Sequence, residues 1–153
     1  MTADDLAELL NRAFDKSPWH SVKGALEGLE YGTFVWLPER HAGFPWMNGS
    51  IRDILFHVTG DKLVQINHAF GDCSLDWKRM PLAKGDLAEM LPKLDDAQTQ
   101  VLSALNGALD LGATIRAWGG KSMPAKDLFL MLIEHDIYHA GQIRYIRNIA
   151  PPR

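Results

Sequence analysis

His135 and His139 stand four residues apart in the segment 129–143, FLMLIEHDIYHAGQI. On a helix that spacing puts both side chains on one face, with Cβ atoms ~5–6 Å apart. Two neutral imidazoles so placed can chelate one ion at ~2.0–2.1 Å per bond. The flanking residues are apolar on both sides, so the pair belongs to a buried face and not to a solvated one. A buried imidazole needs a partner for each ring nitrogen. A metal answers that need, because each ring gives one nitrogen to the ion and donates its other N–H to an acceptor behind it. The bland reading of His-x-x-x-His is a chance pair in a helix, and burial weighs against it. Two histidines require a third ligand. His57, beside Ile54 and Val58 in IRDILFHVTGDK (51–62), is the best placed.

The other candidates are graded by position. His68 lies eleven residues after His57, ~16 Å along a helix at ~1.5 Å per residue, and cannot share an ion with it. Asp61 is one turn from His57. Its default reading is a solvated carboxylate paired on the helix surface; its sharper reading is a metal ligand, a group behind one, or a general base. His41 reads as an exposed loop residue. His20, after Trp19, either lines a pocket or packs at a kink. Tyr138 and Gln142 share the ligand face of the last helix and are candidates for touching substrate, against a default of core packing with a polar tip. Trp118, in a glycine-flanked loop, either caps a pocket mouth or tethers the loop. Gly141 costs ~1 kcal/mol against Ala inside a helix, and a close helix–helix approach is its expected reason.

Helices must position these residues. Thr2-x-x-Asp5, Ser50-x-x-Asp53 and Asp86-x-x-Glu89 each read as a capping box opening a helix. The first carries Leu6, Leu9, Leu10 and Phe14 at helical spacing and is interrupted at Ser17-Pro18; a second segment runs from about 19 to 29. Residues 38–49 read as a loop, with two prolines and two glycines. A long helix from 50 stops at Gly71, and 71–85 is a connection. The helix opened by Asp86 contains Pro92, which predicts a kink or a later start. Residues 110–123 form a long turn with a short strand around 114–117. The last helix runs from about Pro124 to Asn148, with Pro124 in its first turn. Four main helices and almost no strand give an all-α bundle in one domain spanning 1–153.

Composition bounds the function. The 153 residues are 46% apolar and 23% charged, with a net charge of −3, which lacks the basic face of a nucleic-acid binder. No stretch approaches the ~18 apolar residues of a membrane span. The single cysteine, Cys73, and an acidic N-terminal segment with no secretory pattern lead to the expectation of a cytoplasmic protein.

HDIYHAGQIRYIR (135–147) resembles the His-x-x-x-His-x-Gly-Gln-Ile signature of the DinB-like, or YfiT-like, metalloprotein superfamily. SIRDILFHV (50–58) resembles its single-histidine motif, and PWHSVKGALEGL (18–29) the tryptophan–histidine segment that precedes it. The resemblance implies a four-helix bundle in up-down-down-up order. It implies a metal, usually nickel or zinc, on His57, His135 and His139, with water in the open position. It also implies a homodimer. Many members carry an aromatic residue one turn after the first histidine, where this chain has Asp61, so substrates of better-known members do not carry over directly.

Three neutral histidines would leave an ion cationic and open, as in catalytic sites. The first expectation, by resemblance to thiol-transferase relatives, is transfer of a low-molecular-weight thiol to an electrophilic small molecule. The second is hydrolysis by a metal-bound hydroxide with Asp61 as acid or base. The third is a metal-binding stress-response protein without catalysis.

Overall fold

The computed structural model describes residues 1–39 and 49–151. The helices are α1 (Ala3–Asn11), α2 (Val22–Leu26), α3 (Tyr31–Val35), α4 (Ile51–Phe70), α5 (Leu87–Gly107) and α6 (Ala125–Ile149). Strands β1 (Thr114–Arg116) and β2 (Ser122–Pro124) pair antiparallel before α6. All three capping boxes form as read: Thr2, Ser50 and Asp86 accept from the N–H three residues on, and Asp5, Asp53 and Glu89 accept from the cap N–H. Each satisfies two of the N–H groups a helix start leaves over.

Several boundaries differ from the sequence reading. A wide π turn over Arg12–Lys16 extends α1 before Ser17-Pro18 breaks it. The segment expected over 19–29 is helical only over Val22–Leu26. The short α3 has no counterpart in the sequence reading; it lacks a side-chain cap. Pro92 is tolerated inside α5, which still starts at Leu87. Pro124 is the extended residue before α6, because the preceding strand already uses it. Most of the loop expected over 38–49, with His41, lies outside the described residues.

The core is two apolar clusters stacked along the bundle. One joins Phe14, Val22 and Leu26 to the start of α4 (Ile51, Leu55, Val58), the start of α5 (Met90, Leu94) and the end of α6 (Ala140, Ile143, Ile146). The other joins Leu6 and Leu10 to the end of α4 (Ile66), the end of α5 (Val101, Leu105) and the start of α6 (Leu128, Phe129, Leu132). Chain direction follows from these memberships. The α1–α2 limb and α6 run one way, and α4 and α5 both run the other, which is the up-down-down-up order. Complete burial of each large aliphatic side chain here stabilises by roughly 1.5–3 kcal/mol. Arg144 and Arg147 of α6 add a polar clamp, donating to the carbonyls of Pro18 and Gly24 and of Ala25 and Glu27.

Because α4 and α5 are parallel, segment 71–86 must travel back along the bundle. It is tied down at both ends. Asn67 accepts the N–H of Leu75 at 2.9 Å, and Lys84 meets Asp53 at 2.6 Å.

Between the two apolar clusters the facing helices turn polar. Asp61, Lys62 and Gln65 of α4, Gln98 of α5, and Asp136 and His139 of α6 are all buried there. The candidate site lies in this layer. Among the described residues, no helix is long and apolar enough to cross a membrane.

Candidate metal centre

The structure brings His57, His135 and His139 together across α4 and α6, with one potential ligand atom of each within 4.8 Å of the others. His57 Nε2 lies 3.0 Å from His135 Nε2, and His139 Nε2 lies 3.0 Å from the same atom. Ring protonation decides what this convergence means. His139 Nδ1 is 2.8 Å from Gln142 Oε1, so that nitrogen carries the proton and His139 Nε2 presents a lone pair. His135 Nδ1 faces Asp61 Oδ2 at 3.8 Å, too long for a hydrogen bond. Its favourable state beside a carboxylate is also N–H, which leaves His135 Nε2 bare. Two lone pairs 3.0 Å apart repel, and a cation between them removes the conflict. Nitrogens at that separation both reach one ion at ~2.0–2.1 Å. The orphaned His135 Nδ1, buried without a hydrogen-bond partner among the described residues, marks the same strain. The residues present therefore fit a divalent ion.

Electrostatics favour the neutral, ligating form of every ring. Burial pushes His139 down to about 3, helped by His135 and His57 as potential like charges, with the Gln142 contact opposing. His135 is pushed down to about 4 by burial, then by His57 and by Lys62. His57 is lowered by burial, while Asp61 opposes. Asp61 is itself raised by burial, against the pull of His57, Gln65 and Lys62.

Each ring has a different neighbour. Gln142 holds His139, and its Nε2 donates on to Tyr138 Oη at 2.9 Å. Asp61 faces His135, and Gln65 Nε2 makes a long 3.4 Å bond to Asp61 Oδ1. Gln65 Oε1 in turn accepts the Trp118 backbone N–H at 3.2 Å. The His57 ring stacks on Trp77, which packs edge-on against Trp118, their centroids 6.4 Å apart.

Other sequence expectations fare variously. The solvated reading of Asp61 is corrected: it is 8% exposed, in the polar layer. Tyr138 does not pack in the core; it is 56% exposed, edge-on to His139 at 5.1 Å. Trp118 neighbours the site through Trp77. His20 is exposed in the turn after Pro18, its N–H on Ser17 Oγ, and is not one of the converging histidines. His68 holds the Leu75 carbonyl at 2.8 Å. Gly141 makes no close helix approach: a Cβ there would meet nothing within 4 Å. Sequence reasoning missed Trp77, Gln65, Lys62 and Asp136. The last three were visible as polar residues inside otherwise apolar stripes.

The family model described as the DinB superfamily matches residues 18–143. The chain belongs to the DinB superfamily. The match begins at the proline–tryptophan–histidine segment and takes in all three clustered histidines, so this DinB-superfamily chain carries the triad inside the matched region. No curated protein and no solved structure matches the chain.

Proposed function

We propose that this DinB-superfamily protein holds one divalent ion, nickel or zinc, on His57, His135 and His139, and transfers a low-molecular-weight thiol to an electrophilic small molecule. The observation that supports the reading is the convergence of three imidazole nitrogens, of which those of His135 and His139 face each other as lone pairs 3.0 Å apart. All-nitrogen ligation disfavours magnesium and calcium. The affinity order for such sites favours nickel and zinc over manganese. When bound, the ion would supply Lewis acidity that makes a thiol ionise near neutral pH.

The remaining work falls to the chain. Gln142 and Trp77 lock the His139 and His57 rings and Asp61 faces the His135 ring, and this orients the donor nitrogens. Asp61, its carboxyl raised by burial, is a better proton acceptor than an exposed carboxylate and is the group to take the thiol proton. The sulfur then forms a bond to the electrophilic carbon, and the leaving group departs with its electron pair. Trp77 screens one face of His57 from water. The same placement of Asp61 favours a second reading, hydrolysis, in which Asp61 takes its proton from water. Product analysis with and without added thiol separates the two.

The homodimer belongs to the proposal as well. Ile137, Tyr145 and Ile149 are exposed along the outer face of α6 around the bare Gly141, and light scattering on wild type and Tyr145→Glu checks that surface. The cytoplasm is the compartment we propose.

Elemental analysis of protein purified without a histidine tag is the deciding experiment, beside a variant with both His135→Ala and His139→Ala. About one equivalent of ion in the wild type and none in the variant is expected. Metal-dependent turnover of a thiol with a chlorinated aromatic acceptor should follow. A folded wild type that neither contains nor takes up nickel or zinc overturns the reading; a metal-loaded protein idle with every thiol leaves the non-catalytic metal-binding protein.

A further inference from the structure

Three side chains in the polar layer are not among the candidate ligands and are almost wholly shielded from solvent. Lys62 and Asp136 are 0% exposed and Gln98 is 3% exposed. Each sits on the core-facing stripe of its helix: Lys62 between Leu55, Val58 and Ile66, Gln98 between Leu94, Val101 and Leu105, Asp136 between Leu132 and Ile143. Lys62 Nζ donates to Asp136 Oδ2 at 2.6 Å and to Gln98 Oε1 at 3.0 Å. The ammonium also lies 5.8 Å from the centre of the Phe14 ring. One lysine thus ties α4 to both α5 and α6.

Stability does not account for the arrangement. A buried ion pair gains little over apolar residues of the same volume, because desolvation offsets the attraction. This one is also incompletely bonded: Asp136 Oδ1 and Gln98 Nε2 have no partner among the described residues. A partly satisfied polar layer is less stabilising than an apolar one. Its physical advantage is register. A slide of α4 against α6 by one turn, ~5.4 Å, would leave a buried ammonium and a buried carboxylate apart, whereas apolar stripes tolerate such slides.

Register is what the histidines require. His57 is the one candidate ligand on α4 and must meet two rings on α6; its Nε2 lies 3.0 Å from that of His135. Lys62 lies five residues beyond His57, and Asp136 adjoins His135 and is three residues before His139.

We propose that the buried Lys62–Asp136–Gln98 layer is a positioning device that fixes the axial register of α4 against α6 and so brings His57 onto His135 and His139. The affinity readout below rests on the metal reading; the positional readout does not. The test is the full chain carrying Lys62→Met, Asp136→Leu and Gln98→Leu together. The apo variant should melt cooperatively at or above the wild-type temperature. It should lose the nuclear Overhauser contacts between His57 and His139 ring protons. Zinc affinity, by competition with a chromophoric chelator, should fall at least tenfold, and the visible bands of the cobalt-loaded site should shift. A folded variant that keeps the ring-proton contacts, with zinc affinity within twofold of wild type, overturns the proposal. If the wild type binds no zinc, the metal reading fails and the ring-proton contacts alone decide. If the triple variant does not fold, Lys62→Met with Asp136→Leu, Gln98 kept, replaces it: about threefold weaker zinc binding and weakened ring-proton contacts are expected, and lower stability with neither change overturns the proposal.

Discussion

Trp77 lies flat against the imidazole of His57, with ring centroids 5.5 Å apart and 11° between the planes. The contact follows from topology: α4 and α5 are parallel, so their connection must cross back beside the site, and Trp77 is carried over the histidine on the way. An open-shell ion on the triad would sit close enough to quench that indole. Nickel or copper should therefore quench the intrinsic fluorescence of the wild type in a one-equivalent titration. Trp77→Phe, which keeps a ring on His57, should lose most of the quench while binding the ion with affinity within about threefold. Equal quenching in both proteins would place the ion elsewhere.

Gly60 is what lets Trp77 approach. A Cβ at Gly60 would lie 2.6 Å from Trp77 Cζ3, 3.0 Å from Cη2 and 3.2 Å from Met80 Cε. Gly60→Ala gains up to ~1 kcal/mol of helix propensity but must push the indole off His57. The expected outcome is a folded protein with altered near-ultraviolet dichroism and tryptophan emission, and a metal affinity about three- to tenfold lower. An unchanged aromatic spectrum would show that the indole does not rest on the helix backbone.

Asp61→Asn should move apoprotein stability and metal affinity in opposite directions. The folded Asp61 carboxyl titrates above its unfolded value because burial penalises its charge. Its ionisation therefore costs stability as pH rises through that range, and the neutral amide avoids the cost. The carboxylate facing His135 Nδ1 also makes that imidazole a better donor to a metal, and removing such a partner typically costs 10–100-fold in affinity. Thermal melting of the apoprotein at pH 7.5 should show equal or higher stability, and calorimetry with zinc a weaker site. A variant that is less stable and binds zinc as tightly as wild type would exclude this role.

The parts legible in the sequence are those with short-range signals. Three capping boxes placed three helix starts, because the reciprocal bonds span only three residues. The i, i+4 spacing put His135 and His139 on one face. The solvated default for Asp61 failed because a carboxylate one turn from His57 is solvated or buried according to what packs over it. Here α6, with His135, does so, and it is not local to Asp61. Trp77 was illegible for the same reason, since nothing in a connecting loop says which side chain will lie on which helix. Lys62, Gln98 and Asp136 could have been found. Each breaks an apolar stripe, and three such breaks at one level of a bundle point to a buried polar layer. The core-packing default for Tyr138 failed because its helix position is at the edge of the buried face and its ring turns outward over His139.

Proton competition for the site should begin unusually far into acid. Burial lowers His135 to about 4 and His139 to about 3, and lowers His57 as well. Unperturbed imidazoles, with values near ~6.5, would lose metal steeply below that pH. In the folded protein the two rings of α6 take up protons only from about pH 4 downward, so in zinc affinity measured by chelator competition they should not contribute to any weakening between pH 8 and pH 5, and a loss in that window should trace to His57. Apoprotein stability behaves differently. Above the ordinary imidazole range neither state is charged at these rings. As pH falls from there toward 4, the unfolded chain takes up the protons and the folded chain does not, so the histidines withdraw stability, by up to ~1.4 kcal/mol per pH unit for each ring. Asp61 and Asp136, both raised by burial, act the other way in the same window. The histidine contribution is isolated by denaturant melts of wild type and the His135→Ala, His139→Ala double variant at pH 7.5 and pH 5. The wild type should lose more stability on acidification than the variant. Equal losses would mean that the rings are protonated in the folded protein, contrary to the neutral, converging triad.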